Sequence, residues 1–182
     1  MVGLAMADLT FPVALDAPKG SVVLLNENLL TEAMTASRKS PRKRIILPLH
    51  QDHQELLHRM MNVMQPETYV RPHRHLAPPK AESIVVLRGG IWLVLFTDEG
   101  EVYGAWHLKP GYGDFGADIA PGVFHTFIVT QPDTVLFEVK PGPYQRSSDK
   151  DFASWAPAEG EADVRRYQET LLAGLTSRGE SE

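Results

Sequence analysis

The chain contains no cysteine. That absence removes disulfide frameworks, thiolate metal sites and cysteine nucleophiles at once, and it agrees with a cytoplasmic setting. No uncharged apolar run approaches the ~20 residues that a membrane-spanning helix needs. The first ten residues, MVGLAMADLT, lack the basic start and long apolar stretch of a targeting segment. No membrane partner is therefore expected. A glycine-rich phosphate loop, a serine-nucleophile motif and a Walker-type sequence are also missing. Basic charge is in deficit, with 18 Lys and Arg against 23 Asp and Glu and a net charge of −5. An acidic chain argues against nucleic acid as the main partner.

What is present suffices for one domain with extensions. A chain of 182 residues buries roughly 70% of its unfolded surface on folding. Three segments are expected. Residues 1–64 form an N-terminal arm, a helix and edge strands. Residues 65–145 form a β-barrel core. Residues 146–182 form a C-terminal extension with an amphipathic helix.

Within the first segment, residues 1–20 hold Pro12 and Pro18 and read as a loose arm with a short edge strand at most. Val22–Asn26 reads as a brief strand. Glu27–Ser37 fits a helix with Leu29, Leu30, Ala33 and Met34 on one side and Asn26 as its N-cap. The basic run Ser37–Arg44, broken by Pro41, reads as a solvated loop rather than a clamp for an anion. Ile45–Leu49 looks extended. Leu56–Met64 is apolar enough for a buried strand or a helical turn. His50, His53 and His58 lack a spacing that converges on one ion, so supporting or surface roles are expected; His50 remains a candidate pocket residue.

From Thr68 onward, short apolar-rich runs alternate with turn signals: YVRPHRH, ESIVVLR, IWLVLFT, EVYGAWHL, FGADIA, VFHTFIVT and TVLFEVK. Their even spacing predicts an all-β sandwich or barrel. IWLVLF is apolar on both faces and needs cover on both. The N-terminal helix or a second subunit would supply it, so a homodimer is expected. In the tail, Phe152 and Trp155 should pack on the barrel. Glu161–Ser177 reads as an amphipathic helix with Val164, Tyr167, Leu171, Leu172 and Leu175 on one stripe.

The chemistry concentrates in Tyr69–Gly90, YVRPHRHLAPPKAESIVVLRGG. On a strand, His73 and His75 would point to the same face and could grip one ion. Glu82 adds a hard oxygen, and His125 follows a tight glycine turn in APGVFH. A lone His-x-His is more often surface or hydrogen-bonded histidine; Glu82 and His125 together reverse that balance. Three imidazoles and a carboxylate suit one divalent ion of Fe, Mn, Ni, Cu or Zn. Octahedral coordination would leave about two positions open, whereas tetrahedral zinc would be closed.

Around these residues, parity places Tyr69 and Arg71 on the face of His73 as substrate-binding candidates. Arg71 could grip an anion with two parallel bonds or form a structural ion pair. Phe127 shares the face of His125 and would form apolar wall against a ligand. Glu138 and Tyr144, at the end of the last barrel strand, are the catalytic candidates, Glu138 as a general base or as a partner to a histidine. Lys140 is expected at the surface.

The blocks His73-x-His75…Glu82…Gly89 and Gly122-x-x-His125 resemble the two motifs of the cupin superfamily. The resemblance implies an all-β cupin jelly roll, with an N-terminal helical extension and a C-terminal helix here. It also implies His73, His75, Glu82 and His125 as metal ligands inside the barrel. Six residues separate His75 from Glu82, with Pro78 and Pro79 among them; the family's usual gap is shorter, so a bulged loop is predicted. Pro121 adjoins Gly122, one place later than usual, and Val129 stands where an asparagine is often found. The phrases ETYVRPHRH, VVLRG, FEVKPGPY and DKDFASWAPAEG resemble the WbuC-type cupin-fold metalloproteins across about Asn26–Gly160. That family is often associated with surface-polysaccharide gene clusters and has no assigned activity. The expected function is a metal-dependent enzyme, isomerase- or epimerase-like or an Fe(II) oxygenase. Its ligand would be a small polar molecule such as a sugar or sugar acid. The alternative is a metal-dependent saccharide-binding or sensing module without turnover.

Overall fold

The computed structural model describes residues 11–111, 113–145 and 147–179. Helix α1 (Glu27–Lys39) starts where Asn26, in extended backbone, accepts the Leu29 N–H at 3.1 Å. That bond satisfies one of the orphan donors of the first turn. Arg38 and Lys39 sit in the last turn, where cations suit the helix dipole, and the helix runs two residues beyond the expected end. Val22–Asn26 is not a strand: Val22 and Leu24 are 75% and 71% exposed. The edge it would have joined is taken earlier in the chain. Leu15 N–H donates to Ile46 O and Ile46 N–H to Val13 O, at 2.8 and 3.2 Å. The rest of the expected arm, residues 1–10, lies outside the described residues.

Ten strands follow among the described residues: β1 (Arg44–Pro48), β2 (Leu57–Met64), β3 (His73–Arg74), β4 (Glu82–Arg88), β5 (Ile91–Phe96), β6 (Val102–Leu108), β7 (Gly116–Ile119), β8 (Phe124–Val129), β9 (Thr134–Pro141) and β10 (Asp151–Phe152). Helix α2 (Val164–Gly179) ends the described chain. The strands form two five-stranded antiparallel sheets, β1-β2-β9-β4-β7 and β10-β3-β8-β5-β6. This is the cupin jelly roll. β2 is not an edge strand: it lies between β1 and β9 and pairs with β9 along its whole length. Residues before 65 therefore supply a central piece of the barrel.

Three apolar clusters make three layers. Inside the barrel, Met64, Ile84, Val86, Ile91, Leu93, Phe127, Val129 and Leu136 pack between the sheets. Outside the first sheet, Leu30, Ala33 and Met34 of α1 cover Ile45, Leu47, Met61, Val63 and Val135. Outside the second, Ala153, Ala156 and Leu175, with Trp155, Tyr167 and Leu171, cover Val94, Phe96, Phe124 and Ile128. The two-sided strand IWLVLF thus gains its outer cover from the C-terminal extension, not from α1 as expected. It needs no second subunit for that purpose. Trp155 packs tilted against Phe96 and edge-on to Phe124, with ring centroids 5.0 and 5.9 Å apart, and its indole donates to Asp98 O at 3.0 Å. Gly100, at φ +93°, closes the Asp98–Gly100 turn directly under this ring, where a Cβ would come within 2.7 Å of it. Phe152 is only half covered.

The inner faces change character along the strands. On β4 the inward residues run Val86, Ile84, Glu82; on β8, Val129, Phe127, His125; on β9, Leu136, Glu138, Lys140. Apolar side chains fill one end and polar side chains gather at the other. If α2 covers the second sheet as described, Leu175→Ala removes a 2%-exposed side chain. The substitution should cost about 2–4 kcal/mol in denaturant unfolding; a change under about 0.5 kcal/mol would mean the helix is not packed there.

Candidate metal centre

His73, on β3, is the cross-strand partner of His125 on β8, and Glu82 opens β4. β3 is two residues long, shorter than the expected strand Tyr69–His75, because Pro72 interrupts it. His75 lies just beyond it. Its carbonyl accepts the Gly122 N–H at 3.1 Å, which ties the two motif blocks together. Gly122 holds φ +81°, a conformation that glycine adopts at no steric cost. The long loop between His75 and Glu82 does not displace the carboxylate. One ligand atom from each of His73, His75, Glu82 and His125 lies within 4.8 Å of every other, and all four residues are at most 3% exposed.

Each imidazole is oriented by a carbonyl. His73 Nδ1–H donates to Arg71 O at 2.9 Å, His125 Nδ1–H to Val123 O at 3.0 Å, and His75 Nδ1–H to Asp149 O. Donation through Nδ1 turns Nε2 toward the centre in all three, which is how ligating histidines are commonly held. His75 Nε2 lies 2.9 Å from Glu82 Oε2, and His125 Nε2 is buried with no hydrogen-bond partner among the described residues. An orphaned buried nitrogen beside two imidazoles and a carboxylate calls for a partner, and a bound ion would supply it. The donor set fits a divalent cation.

The protonation states agree with that fit. Burial, then Lys150, pushes His73 well below the usual imidazole range; burial likewise lowers His125. Burial alone would raise the Glu82 carboxyl, but the His75 hydrogen bond and then Lys140 outweigh it and keep the group ionised. His73 and His125 therefore present neutral nitrogens and Glu82 a carboxylate, the forms that ligate.

Further charges line the same end of the barrel. Glu138, 6% exposed, accepts from Lys140 Nζ at 3.0 Å and from Asn62 Nδ2. Lys140 is buried at 7% exposure, not at the surface as expected. Burial works against its charge, but Glu138, Glu82 and Asp149 hold it as ammonium. Asp149 also takes Lys80 at 3.3 Å and Lys140 at 3.4 Å. Lys80, Asp149 and Lys150 were not singled out from the sequence. Asp149 and Lys150 lie in the phrase DKDF after the barrel, and only the fold brings that phrase against His75.

The remaining candidates divide. Phe127 is core, with its ring 5.7 Å from that of His125. Tyr69 is buried; its hydroxyl donates to Pro157 O at 2.9 Å and its ring meets Tyr167 edge-on. Burial pushes that hydroxyl up to about 12. Its polar group is thus engaged with the C-terminal segment. Arg71 Nη2 donates to Ala153 O at 2.8 Å, and its guanidinium lies 5.5 Å from the Phe152 ring centre. Tyr144 packs against His53 at 5.2 Å. His50 and His58 stack 4.0 Å apart. His58 sits opposite Lys140 on β2, facing the cavity end of the barrel. A groove of ≈ 430 Å³ runs between β6 and β7, lined by Leu93, Leu95, Trp106, Leu108, Ile119 and Val123 among others. Leu95 and Ile119 are the cross-strand neighbours of His125 and Glu82.

A family model described as a domain of unknown function (DUF6016) matches residues 25–108. Among curated proteins none matches the sequence. Among solved structures, the capsular polysaccharide assembling protein CapF from Staphylococcus aureus aligns with a TM-score of 0.50 and 14% identity. That alignment covers 62% of this chain and 32% of that one. Bacillus subtilis oxalate decarboxylase OxdC aligns at 0.44 and 15%, covering 54% and 24%. KdgF from Halomonas sp. aligns at 0.42 and 19%, covering 56% and 82%. The chain thus spans a third or less of the CapF and decarboxylase chains, and the likeness is one of fold. No described helix is long and apolar enough to cross a membrane.

Two outcomes test this geometry. Purified wild type should carry about one divalent ion per chain, and His73→Ala and His125→Ala should each lose it in elemental analysis; full stoichiometry in both would remove the ligand assignment. His58 gives a pH test. Burial, then His50, Lys140 and Lys80, lower its folded value, while the His53 carbonyl opposes them. Below about pH 6.5 the unfolded chain therefore binds the extra proton, and stability is lost as pH falls through that value. Urea unfolding at pH 7.5 and 5.5 should show a smaller acid loss in His58→Gln than in wild type.

Proposed function

We propose that this protein is a metal-dependent enzyme acting on a small, oxygen-rich molecule such as a sugar acid, by isomerisation, epimerisation or a related proton shift. The observation that carries the reading is the convergence of three Nε2 atoms and Glu82 at one buried point, beside an inward carboxylate, Glu138. A bound divalent ion with open positions would polarise a carbonyl or hydroxyl or acidify water. The donor set suits Fe, Mn, Ni, Cu or Zn, and an Fe(II) oxygenase is the variant within this class.

The chain's own residues supply orientation and proton handling. The three backbone carbonyls hold the imidazoles in one tautomer. Glu138 is the acceptor for a substrate proton, with Asn62 fixing one oxygen and Lys140 compensating charge at the other. Phe127 and the residues of the β6–β7 groove give the ligand an apolar wall. The WbuC-type relationship, a link to surface polysaccharide, a cytoplasmic location and a homodimer belong to the same proposal.

One observation favours a second reading, a metal-dependent binding or sensing module without turnover. Glu138 already accepts two hydrogen bonds, and Tyr144 packs on His53, so neither group stands free. Metal-loaded protein assayed against a panel of sugar acids and oxo-acids separates the readings. Turnover that falls about 10²–10⁴-fold in Glu138→Gln, with metal content unchanged, supports the enzyme. Saturable binding with no turnover supports the module.

A further inference from the structure

We infer that Lys150 is the anion anchor of the cavity, pairing with a carboxylate of the ligand and so selecting acids over neutral polyols. This rests on the reading of the four-residue cluster as a metal centre and adds to it the charge of what binds there.

The position of Lys150 is fixed from both sides. Before it, the Asp149 carbonyl accepts the His75 Nδ1–H, and the Asp149 carboxylate is held by Lys80 and Lys140. After it, β10 pairs with β3 in the register Asp151 to Arg74 and Phe152 to His73. Continuing that register by one residue sets Lys150 opposite His75. Asp151 bonds Arg74 at 2.8 Å on the outer side, while the Phe152 ring lies 6.1 Å from that of His73. By strand alternation Lys150 shares the side of Phe152 and faces the histidines.

The ammonium feels the Glu82 and Glu138 carboxylates but makes no close pair among the described residues. Lys80 and Lys140 are each paired with a carboxylate, whereas Lys150 is partly buried and makes no hydrogen bond or ion pair among the described residues. It is near enough to His73 and His125 to disfavour their protonation. Burial first, then Lys140, brings its own value down to about 8.

Charge accounting points the same way. At this end of the barrel, Glu82, Glu138 and Asp149 face Lys80, Lys140 and Lys150, so carboxylates and ammoniums cancel. A divalent ion then leaves two positive charges in a largely buried pocket. Buried charge without a counter-ion is costly. A neutral polyol leaves that excess in place. A carboxylate with an adjacent oxygen, as in a 2-oxo or 2-hydroxy acid, would lie across the open positions with its carboxylate reaching Lys150, a charge-assisted contact.

The test uses full-length protein loaded with Co(II), whose visible spectrum reports directly on the ion's surroundings, and oxalate as the probe. Oxalate should saturate a spectral change in wild type, while ethylene glycol at equal concentration should not. Lys150→Met should take up the same amount of Co(II) yet bind oxalate about ten- to a hundredfold more weakly; Lys150→Arg, which keeps the charge, should stay within a few-fold of wild type. Equal oxalate affinity in wild type and a Co(II)-replete Lys150→Met overturns the anchor and leaves the metal centre standing. Failure of wild type to take up Co(II) overturns the metal reading itself. Should Lys150→Met lose Co(II), Lys150→Gln and Lys150→Arg compared at equal metal content decide between the same two outcomes.

Discussion

Three imidazoles that give their Nδ1 protons to backbone carbonyls set the terms for the rest of this molecule. The carbonyls belong to Arg71, Val123 and Asp149, on three separate stretches of chain. A hydrogen bond to a rigid backbone fixes both the ring plane and the tautomer, so the Nε2 atoms converge before any ion arrives. The cost is a buried, unpaired nitrogen at His125. The fold tolerates such a group only because the surrounding barrel determines the geometry many times over.

The polar end of the barrel illustrates how that tolerance is built. Strands β4, β8 and β9 contribute to the apolar core and, farther along the same face, to the polar cavity. Leu136 and Lys140 share one face of β9, as Ile84 and Glu82 share one face of β4. The ions are not isolated: Glu138, Lys140, Asp149 and Lys80 form a chain of contacts of 3.0–3.4 Å. Within low-dielectric surroundings such a network is stable only when each member is satisfied. Lys150 stands at its margin with no hydrogen bond or ion pair among the described residues, which is why an incoming anion is the proposed completion.

The two outer layers are covered by different ends of the chain. α1 lies on the first sheet and the C-terminal extension on the second. That extension has a second duty. Its β10 closes onto β3 and carries the Asp149 carbonyl and Lys150 to the histidines. Packing of Trp155 and Leu175 far from the centre therefore bears on how the centre is lined.

The sequence by itself determined the jelly roll, both helices and the four convergent side chains. Each rests on a local signal: alternation of apolar residues, an asparagine cap, a His-x-His pair and a glycine turn before His125. It also sufficed for the apolar placement of Phe127. Only the tertiary structure decided that Lys140 is inside rather than at the surface and that Tyr69 turns to Pro157. The same holds for the cover of Ile91–Phe96 by the C-terminal segment and for the meeting of Asp149 and Lys150 with His75. Two of those outcomes depend on contacts between residues more than 70 positions apart, Asp149 with His75 and Tyr69 with Pro157. No periodicity in one segment encodes which distant segment will lie against it. Strand parity gives the direction of a side chain, whereas its partner is chosen by how the sheets close.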